Sequence, residues 1–244
     1  MASVVHVSRE HNPQQEQMSA QSMLRTLDAQ ARAIWPQEQE LIARYALPDP
    51  AEILDVGCGP GEISARLLDH FPRAKLLGLD LDPAHLERAR ARCARFGTRA
   101  VFATGDAVDL AVESARFDLT VCRHLLQAVP RTRDVLAELV RVTRAGGRLH
   151  LVAEDYAMMH FWPTADDMDA FWQNGPITFA ERTGTDLRSG RKIYTLLRSL
   201  GVRDVRVDYI TVDTVRVDRG TFASIWEAWR DGYANVIAEH AGLD

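Results

Sequence analysis

Apolar and polar positions follow two different rhythms along this chain. From about residue 50 onward, short apolar runs at 53–56, 75–80, 100–104, 119–122, 148–155 and 205–214 have the length and composition of buried strands. Between them apolar residues recur every three or four positions, as on one face of a helix. Ile63, Leu67 and Phe71 form one such face, Leu86, Ala89, Cys93 and Phe96 a second, and Val135, Leu136, Leu139 and Val140 a third before Gly146 and Gly147. Regular alternation of strand and helix predicts an α/β fold: a doubly wound, mostly parallel sheet with helices on both faces and right-handed crossovers.

Two helical regions flank this core. Before it, 19–35 and 37–47 read as two helices broken at Pro36, because proline has no N–H for the helical ladder and its ring crowds the preceding turn. Met23, Leu24, Leu27, Ala31 and Ile34 supply an apolar stripe there. After the core, 220–238 is amphipathic, with Phe222, Ile225, Trp226, Trp229, Tyr233, Val236 and Ile237 on one side. Packing on the sheet is the first use of both stripes, and a lid or a homodimer contact is the second. The pattern divides the chain into a polar, flexible arm (1–17), a helical lid (18–48), the core (49–155), an inserted cap (156–190) and the remainder of the core (191–244) with a sixth strand and a last helix.

Composition narrows the function classes. With 244 residues and 46% apolar side chains the chain can bury a full core. The formal net charge of −5, with basic and acidic residues interleaved, leaves no basic stripe for phosphates, so nucleic acid is not an expected partner. No apolar run approaches the ~20 residues that cross a bilayer, and the start has neither signal-peptide nor transit-peptide character. Cys58, Cys93 and Cys122 are too dispersed for a C-x-x-C unit and odd in number for a disulfide framework. A reducing cytoplasm fits this usage.

The stretch EILDVGCGPGEIS, 52–64, carries the chemistry. Glycines after a strand and before a helix let backbone approach a ligand closely, and the free N–H groups at the helix start can hold an anion. A dinucleotide fingerprint reads G-x-G-x-x-G, but Gly57, Gly59 and Gly61 are spaced G-x-G-x-G and position 62 is Glu62, a like charge for a pyrophosphate. ILDVGCGPG instead resembles motif I of the class I S-adenosylmethionine-dependent methyltransferases at every position. Asp80 closes the next strand 21 residues after Gly59, where an acid can accept from both ribose hydroxyls, and Asp106 ends the third strand, near the adenine amino group in that family. The resemblance covers about 50–155 and, more loosely, 190–214. It implies S-adenosyl-L-methionine as cofactor, held by Asp55, Gly57, Cys58, Gly59, Gly61, Asp80, Leu81, Asp106, Ala107 and Arg123. The family's sheet usually ends in an antiparallel hairpin, whereas here only one strand, 205–214, precedes the last helix.

The acceptor is read from fewer signals. The fourth strand ends in CRHLLQ, unlike the boxes of base methyltransferases, which agrees with the acidic charge. His124 follows that strand, near where the family places the methyl, and an imidazole with an ordinary pKa of about 6.5 can take a proton from a hydroxyl or amine. Asp155, Tyr156 and His160, with Glu154, are alternative bases or anchors. The segment 156–190 holds Tyr156, Phe161, Trp162, Phe171, Trp172 and Phe179, more rings than a surface connection needs, which suggests a cap over a mainly apolar substrate. No metal site is expected, because Glu154 and Asp155 come from a single strand end. The expectation is methyl transfer to oxygen or nitrogen of a small aromatic or hydrophobic metabolite. An NAD-linked oxidoreductase and a non-catalytic, donor-binding regulator are the alternatives.

Overall fold

A computed structural model describes residues 20–241; the 1–17 arm lies outside the described residues, as do Met18 and Ser19 of the lid. In chain order the elements are α1 (Ala20–Ile42), β1 (Glu52–Val56), α2 (Glu62–His70), β2 (Lys75–Asp80), α3 (Pro83–Cys93), β3 (Ala100–Thr104), β4 (Phe117–Arg123), α4 (Thr132–Val142), β5 (Thr143–Val152), α5 (Met168–Trp172), α6 (Thr178–Thr183), α7 (Gly190–Ser199) and α8 (Arg219–Ala241). The sheet order is β3-β2-β1-β4-β5, with every pairing parallel. This is the doubly wound, Rossmann-like arrangement that the alternation predicts.

Strand periodicity splits the core in two. Ile53, Leu76, Leu119 and Val121 face α1, α2 and α3, where Trp35, Leu67, Leu86 and Cys93 meet them. Their sequence neighbours Leu54, Val56 and Cys122 face α4 and α7, against Leu136, Leu139, Ile193 and Leu197. Strand order reverses between β1 and β4, and the crevice at their C-terminal ends is where open α/β sheets bind ligands.

Three expectations are corrected. First, the lid is one helix, not two, and runs through Pro36. Tertiary packing overrides the missing hydrogen bond: Ile34 and Trp35 before the proline and Glu38 and Ile42 after it are all buried, and α1 also packs along α8. Second, 205–214 is not a strand. Val207 and Tyr209 are exposed, and Gln37 of α1 ties the segment by donating from Nε2 to the Thr211 carbonyl (2.8 Å) and accepting at Oε1 from the Thr211 N–H (3.1 Å). The main-chain groups of Thr211 thus pair with a side-chain amide instead of β5. Third, the strand expected at 148–155 begins earlier, with a register shift against β4, and ends at Val152, so Glu154 and Asp155 lie just beyond it.

The 156–190 segment forms short helices that build a small aromatic core with α8. Tyr156, Trp172, Ala180 and Leu187 are buried there against Trp226 and Trp229.

Candidate active site

One cavity of about 230 Å³ opens at the crevice, and it has two chemically different ends. The first is built around the loop after β1. Its turn is fixed by the Gly57 and Cys58 N–H groups, which both donate to the Leu79 carbonyl (2.8 and 3.0 Å), and by the Gly59 N–H, which donates to Asp80 Oδ2 (2.8 Å). Gly59 has φ of 51° and Gly61 of 75°, left-handed values that disfavour side chains. A Cβ on Gly61 would also come within 2.9 Å of the Ala89 backbone, so glycine is what lets α2 sit against α3. Leu27 of α1 lies over Gly59, and Met23, Thr26, Gln30 and Ala31 continue that wall, so the single long helix forms a lid over the loop.

Acids ring this end. Asp80 accepts from the Gly59 N–H at Oδ2 and from the Asp82 N–H (2.9 Å) at Oδ1, where His85 Nδ1 also stands 3.6 Å away, so the second lone pair of Oδ2 is the one left for a ligand hydroxyl. Asp106 and Ala107 line the cavity beyond it, and Asp106 Oδ1 accepts from the Val108 N–H (3.0 Å). Asp55 is 3% exposed and receives the Ser64 hydroxyl at 2.6 Å; burial pushes its pKa up to about 6 against the pull of that hydrogen bond and of Arg123. Cys58 is buried, and burial drives its thiol upward, so it packs rather than reacts.

The second end is made of side chains. Glu154 receives Gln30 Nε2 (3.3 Å) and His124 Nδ1 (3.0 Å) at one oxygen, and Gln127 Nε2 (2.9 Å) and the Tyr156 hydroxyl at the other. Burial alone would raise its pKa, but His124, the Tyr156 hydroxyl and the charge of Arg123 hold it below the usual carboxylate range. The backbone beneath is anchored too, since the Gly190 N–H donates to the Glu154 carbonyl (3.0 Å) at the start of α7. With Nδ1–H given to Glu154, His124 presents the lone pair of Nε2, which is buried and has no partner. The residue sits at φ of 53°, in the left-handed region that strains a side-chain-bearing residue. Trp229 and Tyr233 of α8 complete this end beside Tyr156. Burial, reinforced by the Glu154 charge, raises the Tyr156 and Tyr233 hydroxyls, which stay protonated.

A buried clamp joins the lid to the sheet between the two ends. Glu38 of α1 is fully buried and takes Arg123 Nε of β4 (2.7 Å) and His150 Nε2 of β5 (2.9 Å), while the Tyr45 hydroxyl meets His150 Nδ1 (2.8 Å). Burial would raise the Glu38 pKa, but Arg123 and His150 lower it further than burial lifts it. Arg123 Nη2 is buried without a partner in the cavity wall.

The cavity therefore gathers Asp55, Gly57, Cys58, Gly59, Asp80, Leu81, Asp106, Ala107, Arg123, His124 and Tyr156 from the sequence-predicted set, with Gly61 at the loop's end. It does not gather Asp155 or His160. Asp155 turns away to pair with Arg191 (2.6 Å) and cap the turn after it, and His160 is exposed on the outer groove. Of the six rings in the cap only Tyr156 reaches the cavity, and Trp162 is 94% exposed. Gln30, Gln127, Trp229 and Tyr233 are the unforeseen members, with Glu38 unforeseen in the clamp behind the cavity. Their signal in the sequence is faint: Gln30 and Glu38 are polar positions on a helix face that is otherwise buried.

Residues 53–147 match the family model described as the methyltransferase domain. Residues 53–147 form a class I S-adenosylmethionine-dependent methyltransferase domain. Among curated relatives, the trans-aconitate 2-methyltransferase of Methylobacterium radiotolerans is 36% identical over 152 residues, 62% of this chain and 55% of that protein. The enzyme of the same name from Variovorax paradoxus is 33% identical over 167 residues, 68% of this chain and 62% of its own. The chain thus spans less than two thirds of these relatives' length. Phosphoethanolamine N-methyltransferase 2 of Haemonchus contortus, solved with phosphomonomethylethanolamine and S-adenosylhomocysteine, superposes with a TM-score of 0.66 at 16% identity, over 95% of this chain and 58% of that one, which establishes likeness of fold. The methyltransferase domain's first end suits such a donor: the unpartnered Arg123 Nη2 fits a carboxylate, Asp55 an ammonium, and Asp80 a hydroxyl.

Proposed function

We propose that the protein transfers the methyl group of S-adenosyl-L-methionine to an oxygen or nitrogen of a small aromatic or hydrophobic metabolite, with His124 as general base. The observation that carries this reading is the buried, unpartnered Nε2 of His124, a residue that lines the same cavity as the glycine loop. The bound donor supplies an electrophilic methyl on a good leaving group. The chain's own work is then alignment, exclusion of water and proton removal. The α1 lid covers the loop, Glu154 fixes the tautomer and angle of His124, and the rings of Tyr156 and Trp229 offer an apolar wall. The chemistry of the second end supports an acceptor unlike the tricarboxylate named for the relatives: the ionised Glu154 would repel it. The three buried thiols, none bonded to another, support a reducing cytoplasmic setting, and no helix among the described residues is long and apolar enough to cross a membrane.

The test is calorimetry with S-adenosylhomocysteine, then transfer of labelled methyl to a panel of phenols and arylalkylamines. His124→Ala is expected to keep donor affinity within about twofold while turnover falls by roughly 10² to 10⁴. Unchanged turnover would remove His124 from the chemistry, and absence of S-adenosylhomocysteine binding would remove the donor assignment.

A further inference from the structure

Glu154 keeps its negative charge where a methyl acceptor would stand. Its hydrogen-bond partners are Gln30, Gln127, Tyr156 and His124, so the carboxylate is held by donors with no arginine or lysine bonded to it, while the charges of His124 and Arg123 help keep it ionised. Of the arginines lining the cavity, Arg123 is ion-paired through Nε with Glu38 (2.7 Å), its Nη2 being the group that fits the donor's carboxylate, and Arg131, at the exposed rim, pairs with Asp134 (2.7 Å). The Glu154 side chain is 19% exposed and lines the cavity. Next to it three rings stand in series. The centroids of Tyr156 and Trp229 are 5.1 Å apart and those of Trp229 and Tyr233 are 5.4 Å apart, tilted by 43° and 56°, and all three line the cavity. An ionised carboxylate with no arginine or lysine bonded to it, beside indole and phenol rings, is an environment that attracts an organic cation.

We infer that the acceptor is an amine on an aromatic or apolar body, its ammonium form drawn by Glu154 and by the faces of Tyr156, Trp229 and Tyr233. This rests on the methyl-transfer reading above and narrows its acceptor class. A carboxylate or phosphate at this end would meet like charge, and an alcohol would gain nothing from the field. His124 Nε2 stands ready to accept an N–H. It takes one proton from the ammonium, and the freed nitrogen lone pair forms the new N–C bond as the methyl–sulfur bond breaks. The bonding electrons go to sulfur, the methylated ammonium and S-adenosylhomocysteine leave, and the proton on His124 passes to solvent.

The experiment uses the full chain saturated with S-adenosylhomocysteine and calorimetry with three matched sets. These are benzylamine, 2-phenylethylamine and tryptamine, the alcohol corresponding to each, and the carboxylic acid corresponding to each. At least one amine is expected to bind tenfold or more tightly than its alcohol, with its acid weaker still. Glu154→Gln, with unchanged S-adenosylhomocysteine affinity as the check on folding, is expected to weaken that amine tenfold or more and leave its alcohol within twofold. Trp229→Leu, a second variant that leaves the carboxylate in place, is expected to narrow the amine-to-alcohol ratio at least threefold. If no amine outbinds its alcohol, or if Glu154→Gln weakens both equally, the proposal is overturned. Failure of S-adenosylhomocysteine itself to bind would instead overturn the donor reading, so the two failures are distinct.

Discussion

The two ends of the cavity are built by different parts of the chain. The donor end is mostly backbone and strand-end carboxylate: one loop between β1 and α2, with Asp80 and Asp106 just where the neighbouring strands stop. The acceptor end is all side chain, drawn from Gln30 on α1, His124 and Gln127 after β4, Glu154 and Tyr156 after β5, and Trp229 and Tyr233 on α8. A site made by a turn depends on local geometry that few residues can adopt, and so it is written compactly in sequence. A site assembled from distant side chains depends on how helices are brought together, and no short stretch encodes it.

Gly59→Val is the strongest blow to the donor end. A β-branched side chain at φ of 51° opposes the turn, and its added atoms enter the space under Leu27. S-adenosylhomocysteine affinity is expected to fall by about two orders of magnitude or more in calorimetry, with circular dichroism keeping its helical signal. If affinity survived in the folded variant, the loop would not be the donor cradle and the contrast between the ends would collapse.

Glu38→Ala acts on the piece that holds both ends together. Removing a fully buried carboxylate leaves Arg123 and His150 without their shared partner, and breaking such a buried pair typically costs about 3 to 5 kcal/mol. Chemical denaturation is expected to show a loss of that size, with faster hydrogen exchange along α1. A loss under about 1 kcal/mol would mean that the lid is held by its apolar packing on α8 and the sheet-side core rather than by the clamp.

The same contrast explains what could be foreseen. The strands at 53–56, 75–80 and 100–104 and the chain order of the donor residues were readable because strand period and motif spacing are local. Pro36 misled because its lost hydrogen bond is outweighed by Trp35, Glu38 and Ile42 packing on one continuous face. The alternating valines of 205–214 predict a strand that does not form: the edge of β5 is left unpaired by this segment, and Gln37 takes both main-chain groups of Thr211. Trp229 and Tyr233 were visible as one apolar stripe of α8. Nothing in that stripe says that these two rings, and not Phe222 or Ile225, reach the cavity.

Asp80→Ala probes one contact in the donor end. The carboxylate braces the Gly59 N–H and is placed to accept a ligand hydroxyl, so its loss is expected to weaken S-adenosylhomocysteine by roughly 1.5 to 3 kcal/mol, about tenfold to a hundredfold. Amine binding at the other end, measured with the donor product saturating, is expected to be unchanged. A parallel loss at both ends would show that the loop and the acceptor wall move as one unit.

Asp55 gives the smallest and most discriminating effect, because protonation pulls stability and binding in opposite directions. Burial raises its pKa from 3.8 to about 6. Between those values the folded protein holds a proton that the unfolded chain releases. The stabilisation linked to this group is therefore full below about pH 4 and is lost as pH rises through 6. Donor binding has the reverse sign, since the ammonium of S-adenosylhomocysteine pairs with the ionised carboxylate, and affinity should rise several-fold from pH 5 to pH 7. Asp55→Asn keeps an acceptor for the Ser64 hydroxyl but cannot titrate. Relative to wild type it is expected to flatten the fall of ligand-free stability and the rise of affinity over the same interval. A variant that flattened the stability curve alone would keep Asp55 as a buried acid of the fold and take it out of the donor site.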